Sequence, residues 1–414
     1  MRSNRLTTAI VIGLALGVAL GFICHAWFPE SAPGFAEATA LLPMAFLRLI
    51  KMIIAPLVFS TLVVGIAKMG DIATVGRVGG KALGWFIFAS LISLTLGLVL
   101  VQLFEPGKAL QLPIPDAHAT SGVAASGLSL KSFIEHTIPT SAFDAMARNE
   151  ILQIVIFSLF FGTAMAALGE RSRSVIDVLD AVSHIMLKVT SYVMVFAPLA
   201  VFGALASVVA KEGLGIIGVY GIFIGEFYLG LLILWIILAV LGGIIVGPRI
   251  VALLRRIREP ILLAFSTASS EAAYPKTLEE LERFGCSNRV ASFVLPMGYS
   301  FNLDGSMMYC TFAVLFIAQV YGIELSIGEQ MLMLLVLMLT SKGIAGVPRA
   351  SLVVIAATLS QFNIPEAGLL LLLGIDHFLD MGRSATNVVG NSVATAVVSK
   401  WEGELTAGHD RPEP

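Results

Sequence analysis

The chain has 414 residues, 57% of them hydrophobic and 13% charged, with a formal net charge of -2. A mean hydropathy of +0.90 is too high for one globular domain dissolved in water. The near-zero charge excludes the strongly basic face that a nucleic-acid partner requires.

Apolar stretches at residues 7–28, 84–104 and 214–246 reach or exceed the ~20 residues needed to cross a hydrocarbon core about 30 Å thick. They lack the period-two alternation of a barrel, and lipid offers bare backbone no partners, so they read as helices. The predicted class is an all-α, multi-pass membrane protein. The first run follows Arg2 and Arg5 as a signal peptide would, but it is long and no small-residue cleavage pattern follows, which predicts a retained helix. Cys24, Cys286 and Cys310 lie in or beside apolar segments without metal-ligand spacing, so they read as packing residues outside any disulfide framework.

Lys and Arg accumulate in cytoplasmic loops, and their placement gives a topology. Arg2 and Arg5 put the N-terminus inside, and helix 1 exits near Pro29. Helix 2 (residues 41–67) returns to Lys68, Arg77 and Lys81, and helix 3 leads out to a Pro-, Ser- and Gly-rich loop at 105–147. Helix 4 comes back in. Arg171, Arg173 and Lys188 precede helix 5, and Arg249, Arg255, Arg256 and Arg258 follow helix 6.

The regular pattern then breaks. Residues 260–275 are short, moderately apolar and interrupted by Ser266, Thr267, Ser269, Ser270 and Glu271, with basic residues on both sides, so they form a re-entrant hairpin from the cytoplasmic face. After helix 7 (290–320), residues 326–361 repeat the form, broken at Ser341-Lys-Gly-Ile-Ala-Gly-Val-Pro348 and flanked by Glu324, Glu329 and Glu366, which places this hairpin's entry outside. Helix 8 (368–400) ends inside. Reading the broken runs as kinked spanning helices would invert the charge rule at several loops. Two hairpins entering from opposite faces are the mark of an inverted-repeat transporter, because irregular backbone at membrane depth is tolerated only beside a cavity.

Within helix 8, Arg383 is a charge deep in an apolar segment, where it marks a substrate path or an ion pair. Its guanidinium fork suits bidentate binding of a carboxylate. The alternative is pairing with Asp380 or Asp376, at i-3 and i-7 on the same helix face.

Taken together, Phe46-Leu-Arg-Leu-Ile-Lys-Met-Ile-Ile-Ala-Pro-Leu57, Ser269-Ser-Glu271, Asn302-Leu-Asp-Gly-Ser306, Gly346-Val-Pro348 and Asp380-Met-Gly-Arg-Ser-Ala-Thr-Asn387 carry a resemblance over nearly the whole chain. The sequence resembles the dicarboxylate/amino acid:cation symporter family, which contains bacterial glutamate and dicarboxylate carriers and the animal glutamate transporters. Within it, the sequence is most like bacterial proton/glutamate symporters. A member of that family is itself one of the known inverted-repeat transporters.

The resemblance implies eight transmembrane helices plus two re-entrant helical hairpins in a homotrimer working as an elevator. Residues 1–78 (helices 1–2) and 105–211 (outer loop and helices 4–5) would be scaffold. Residues 79–104 (helix 3) and 212–400 would be the moving transport part, and 401–414 a cytoplasmic tail. Both termini would be cytoplasmic and the location the inner, plasma membrane.

For the site, the resemblance implies that Arg383 holds a substrate side-chain carboxylate and Asp380 the amino group. Ser269, Ser270, Ser306, Ser384 and Asn387 would supply polar contacts, and the backbone around Ala268, Val347 and Ser351 would complete the cage. For the individual serines, hydrogen bonding back onto the helix is an equal alternative. The substrate expected is L-glutamate or L-aspartate. Carriers of unaminated C4-dicarboxylates usually lack an acidic residue at the Asp380 position.

The ion positions depart from those of sodium-driven members. Asn391 stands where they carry a carboxylate, and of three helix 3 positions Ser90 remains while Phe86 and Ala89 cannot ligate. Lys342 places an ammonium near a third site, while Gly298, Asn302 and Asp304 persist as residual ion-site positions. The pattern favours protons over sodium. Glu271, at a hairpin tip, is the candidate proton carrier, with a solvated tip residue as the alternative. No cofactor or metal is expected, and the absence of His-Glu-x-x-His, Gly-x-Ser-x-Gly and Walker motifs argues against an enzyme. An anion channel on the same fold and a C4-dicarboxylate or sodium-coupled symporter are the competing functions.

Overall fold

The computed structural model describes residues 2–69, 72–109, 134–135, 137–213, 215–341 and 350–406. Among these the chain is helical apart from one isolated bridge between Cys286 and Leu405. In chain order the helices are α1 (Arg2–Trp27), α2 (Ala32–Met69), α3 (Ile72–Phe104), α4 (Pro106–Ala109), α5 (Ala142–Arg148), α6 (Ile151–Leu168), α7 (Arg173–Val193), α8 (Ala197–Glu212) and α9 (Gly215–Val246). They continue with α10 (Arg249–Arg256), α11 (Arg258–Thr267), α12 (Tyr274–Phe284), α13 (Asn288–Phe301), α14 (Asp304–Val320), α15 (Ile327–Thr340), α16 (Ala350–Gln361), α17 (Leu369–Leu373) and α18 (Asp376–Trp401). Among the described residues six stretches are long and apolar enough to cross a membrane, which makes this a multi-pass membrane protein.

Several boundaries differ from the sequence reading, each for a local reason. Expected helix 5, placed after Lys188, is α8, and the basic stretch before it is itself a helix, α7, joined to α8 through a 3-10 turn at Met194–Phe196. Expected helix 7 is not continuous: Asn302 (φ -129°, ψ 60°) leaves helical geometry, so α13 ends and α14 restarts at Asp304. Expected helix 8 begins with the separate α17, and α18 is not among the apolar spans. Its acidic, basic and amide residues lower its hydropathy, but residues 381–399 are buried, so α18 is solvated by protein and not by lipid. Residues 110–133, Lys342, Val347, the Gly346-Val-Pro348 motif, Arg349 and the tail from 407 lie outside the described residues.

Two short-armed pairs, α11 with α12 and α15 with α16, follow α10 and α14; the second falls within the expected 326–361, while the first extends through α12 to Phe284, past the expected 275. The first turns at Ala268, which takes a left-handed conformation (φ 48°), and re-enters helix through a 3-10 turn at Glu271–Ala273. The second starts with a capping box, in which Ser326 and Glu329 satisfy each other's backbone N–H groups.

Close packing joins the first helix to α8, together with a hydrogen-bond contact of His25 Nδ1 with Ala210 O at 2.9 Å. Along α1, Gly13, Gly17 and Gly21 face the carbonyls of Pro198, Phe202 and Ala206 on α8, which an added Cβ would approach to 2.5, 2.6 and 2.7 Å. Small residues at four-residue spacing permit this approach where no hydrophobic driving force separates helix from lipid. Gly17→Leu is expected to cost about 1–3 kcal/mol or more through overpacking, read as a lowered melting temperature in detergent. An unchanged melt would show that the seam is loose.

At the opposite end of the chain, residues 402–406 run as a strap beneath the helices. Glu402 accepts from Arg77 (3.0 Å) and Lys81 (2.6 Å) of α3. Burial alone would raise its carboxyl, but hydrogen bonds from these two cations hold it below the ordinary carboxylate range. Glu404 pairs with Arg289 of α13, Thr406 N donates to Gly285 O (3.0 Å), and Arg249 of α10 donates to Thr406 O (2.8 Å). Trp401 sets its ring edge against Trp85 at 5.9 Å. The strap therefore fastens α3, α10, α13 and α18 at one end.

Candidate functional site

The first two turns of α18 carry the buried charges. Arg383 is 1% exposed; its Nη2 donates to Asp376 Oδ1 at 3.0 Å and forms an ion pair with Asp380 Oδ1, also at 3.0 Å. Asp376 is itself buried and also accepts from the Tyr309 hydroxyl at 3.2 Å. The guanidinium carbon lies 4.0 Å from the centre of the Tyr309 ring, a cation–π contact that fixes its plane. Tyr309 is held in turn by an aromatic cluster, with Phe227 of α9 at 5.6 Å and Phe312 packed beyond it.

One guanidinium nitrogen thus serves both aspartates, while Arg383 Nε and Nη1 have no hydrogen-bond partner among the described residues. Leaving buried donors of a cation unmet is costly. The free edge of the fork is the geometry that a bound carboxylate satisfies with two parallel hydrogen bonds. The side chain of Asp380 is 33% exposed, against 3% for Asp376, so Asp376 is the internal counter-ion and Asp380 faces outward.

One turn further along, Asn387 ties α18 to the restart of α14. Its Oδ1 accepts from Gly305 N (3.0 Å) and Ser306 N (3.4 Å), and its Nδ2 donates to Ser306 Oγ (3.2 Å). Ser384 is buried beside Arg383 in sequence. Ser351 O lies 3.9 Å from the Cys310 thiol next to Tyr309, which brings α16 to the same region. In the first hairpin, Ala268 packs against the buried cluster that includes Met381 of α18. Ser270 is buried, while the Ser269 hydroxyl accepts from Ala272 N (3.2 Å) and caps the turn, so in this structure Ser269 supports the hairpin. No hydrogen bond joins Ser269 or Ser270 to Arg383 among the described residues. The expected cage residue Val347 lies outside them.

A second polar cluster sits where the helix breaks. Asp304 is fully buried, and its carboxylate accepts from Ser93 Oγ (3.2 Å) and Asn302 Nδ2 (3.0 Å). Asn302 also donates to Asn391 Oδ1 (3.2 Å), which packs against Gly298, while Asn302 Oδ1 and Asn391 Nδ2 have no partner among the described residues. The structure therefore brings Gly298, Asn302, Asp304 and Asn391 together. Ser90, one turn before Ser93 on α3, is buried with them, and Phe86 and Ala89 are buried without ligating atoms. A buried carboxylate ringed by amide and hydroxyl groups can take a proton or a cation. No group of three or more His, Cys, Asp or Glu arranged for a metal occurs among the described residues. Glu271, at the tip of the first hairpin, is half-buried, and Lys51 of α2 and Glu150 are the charges that act on it.

Two side chains of these sites escaped the sequence reading, Tyr309 as the floor under Arg383 and Ser93 on Asp304, while Asp376 is named there as an alternative partner of Arg383. For Ser93 the signal was present, since it lies three residues after Ser90 on one helical face.

A buried guanidinium with a free edge, set among broken helices in a multi-pass membrane protein, defines a carrier of small carboxylates and not an enzyme. The profile described as the sodium:dicarboxylate symporter family matches residues 6–401. The C4-dicarboxylate transport protein of Rhizobium johnstonii is 42% identical over 405 residues, covering 96% of this chain and 90% of the relative. Proteins of the same description from Cupriavidus necator (43%, 96% and 91%) and Bacillus subtilis (39%, 97% and 94%) are similarly close. The chain belongs to the sodium:dicarboxylate symporter family, and is a secondary symporter.

Proposed function

We propose that this symporter carries four-carbon dicarboxylates across the inner membrane, with one carboxylate gripped by the free edge of Arg383. The unpartnered Nε and Nη1 of Arg383 carry the reading, and the description of the relatives as C4-dicarboxylate transport proteins supports the chain length. Both termini are cytoplasmic, three copies assemble, and α3 with α9 to α18 slides as an elevator against α1, α2 and α6 to α8. This division is supported by α1 and α2 packing along α8 and by the strap, which binds only elements of the second group.

Asp380 favours a second reading, in which the preferred four-carbon acid is L-aspartate. The Asp380 side chain is 33% exposed and lies beside Arg383, so it presents a carboxylate with which a ligand ammonium can pair. An unaminated dicarboxylate would make no use of it. L-Glutamate is the longer alternative, since one methylene in a pocket is worth only about 1–3 kcal/mol.

Uptake of labelled succinate, L-aspartate and L-glutamate into proteoliposomes tests both readings. Succinate uptake inhibited by fumarate and malate establishes the first, and aspartate taken up in preference to succinate establishes the second. Asp380→Ser is expected to lower the aspartate-to-succinate ratio by about tenfold or more, the worth of a lost charge-assisted hydrogen bond. An unchanged ratio removes Asp380 from ligand recognition.

A further inference from the structure

Tyr228 of α9 engages the charged turn of α18 through its backbone. Its hydroxyl donates to Phe378 O at 2.6 Å. Phe378 O is also the carbonyl to which Gly382 N is directed in the i to i+4 pattern of the helix. The tyrosine hydroxyl therefore shares the carbonyl of that rung, and a hydrogen bond from outside the helix bears on the local geometry of the turn. Asp380 lies midway along that rung, and Arg383 follows it directly.

The surroundings are shaped for this ring. Gly382 leaves room for it: an added Cβ would come to 3.0 Å from Tyr228 Cζ and 2.7 Å from Leu231 Cδ1. The ring also meets Phe265 of α11 in an edge contact at 6.4 Å, and Phe265, Ala268 and Phe378 each pack against the buried cluster of Met381, Ala204 and Leu205. One side chain thus links α9, the first arm of the first hairpin and the turn bearing Asp380.

We infer that Tyr228 is a positioning residue that sets ligand specificity by fixing the turn of α18 on which Asp380 stands. Arg383 does not depend on it in the same way, because Asp376 and the Tyr309 ring hold the guanidinium from the other side. Loss of the hydroxyl therefore falls on the Asp380 end of the ligand and spares the carboxylate end. The inference rests on the proposed reading of Asp380 and Arg383 as the ligand site.

The test compares Tyr228→Phe with Trp235→Phe, which removes the Trp235 Nε1 to Thr386 Oγ1 bond (2.8 Å) at the same interface. For Tyr228→Phe, the KM for L-aspartate is expected to rise about tenfold with kcat little changed, while succinate moves less than about twofold. Amide hydrogen exchange should accelerate only in residues 378–384. Trp235→Phe should leave both the ratio and that exchange as in the wild type. An unchanged aspartate-to-succinate ratio in Tyr228→Phe overturns the inference, whatever the exchange shows. Should wild-type protein take up neither acid, the proposed function fails, and the exchange pattern alone decides: acceleration confined to 378–384 supports the positioning role, and none overturns it.

Discussion

Arg383→Lys is expected to reduce uptake of every dicarboxylate by more than about a hundredfold while leaving the protein folded. Lysine keeps the charge that Asp376 and Asp380 require, but an ammonium is a point donor and cannot present two parallel N–H groups to a carboxylate. The loss expected is that of a bidentate, charge-assisted contact in a dry site, about 3 kcal/mol or more. Arg383→Met should do something different. It leaves Asp376, only 2% exposed, as an uncompensated buried charge, for which a penalty of about 3–5 kcal/mol is usual. Thermal melting should therefore separate the two variants, with lysine near the wild type and methionine well below it. Near-normal succinate or aspartate affinity in Arg383→Lys would remove the bidentate role.

The second large effect concerns the driving ion, which we propose is the proton. Asn391, linked to Asp304 through Asn302, contributes an amide where a carboxylate would neutralise a cation, and Phe86 and Ala89 on α3 are buried without side-chain oxygens. A bare cation in the membrane interior needs several oxygens and a nearby carboxylate. Uptake should persist in choline buffer and rise as external pH falls, by up to about tenfold per pH unit where one proton must bind to load the carrier. Glu271→Gln should retain exchange of internal for external substrate but lose net uptake, because a permanently neutral side chain neither takes nor releases a proton. Strict dependence on external sodium, with no response to an imposed pH gradient, would reverse the assignment.

Much of this was legible in the chain because membrane segments announce themselves by length and charge placement. The serine- and glycine-rich interruptions that no lipid-facing helix tolerates marked where the apolar pattern breaks: α15 and α16 fall within the expected second segment, whereas the first pair overruns its own, since α12 runs on to Phe284, past the expected end at 275. Arg383 presented two readings, ligand anchor or intrahelical ion pair, and the structure makes them compatible: pairing with Asp376 and Asp380 uses one nitrogen and leaves the fork's other edge. What the sequence did not yield depends on contacts between distant segments. Tyr309 under the guanidinium, Ser93 on Asp304 and Tyr228 at the Phe378 carbonyl are ordinary-looking residues in apolar helices until tertiary packing brings them to their partners. The break at Asn302 was hidden similarly, because its polar run reads equally well as the inner face of a continuous helix.

The terminal strap also bears on how the protein is made. Arg77 and Glu402 are 325 residues apart, so at roughly 5–20 residues per second the first is translated some tens of seconds before the second exists. Through that interval α3 stands without Glu402, and α10 and α13, made later, wait a shorter time for Thr406 and Glu404; neighbouring helices and lipid alone keep them in register. The fastening can form only after residues 402–406 have left the ribosome. A polypeptide released at residue 402 would have every spanning segment made and yet lack Glu404 and Thr406, which hold Arg289 and Arg249.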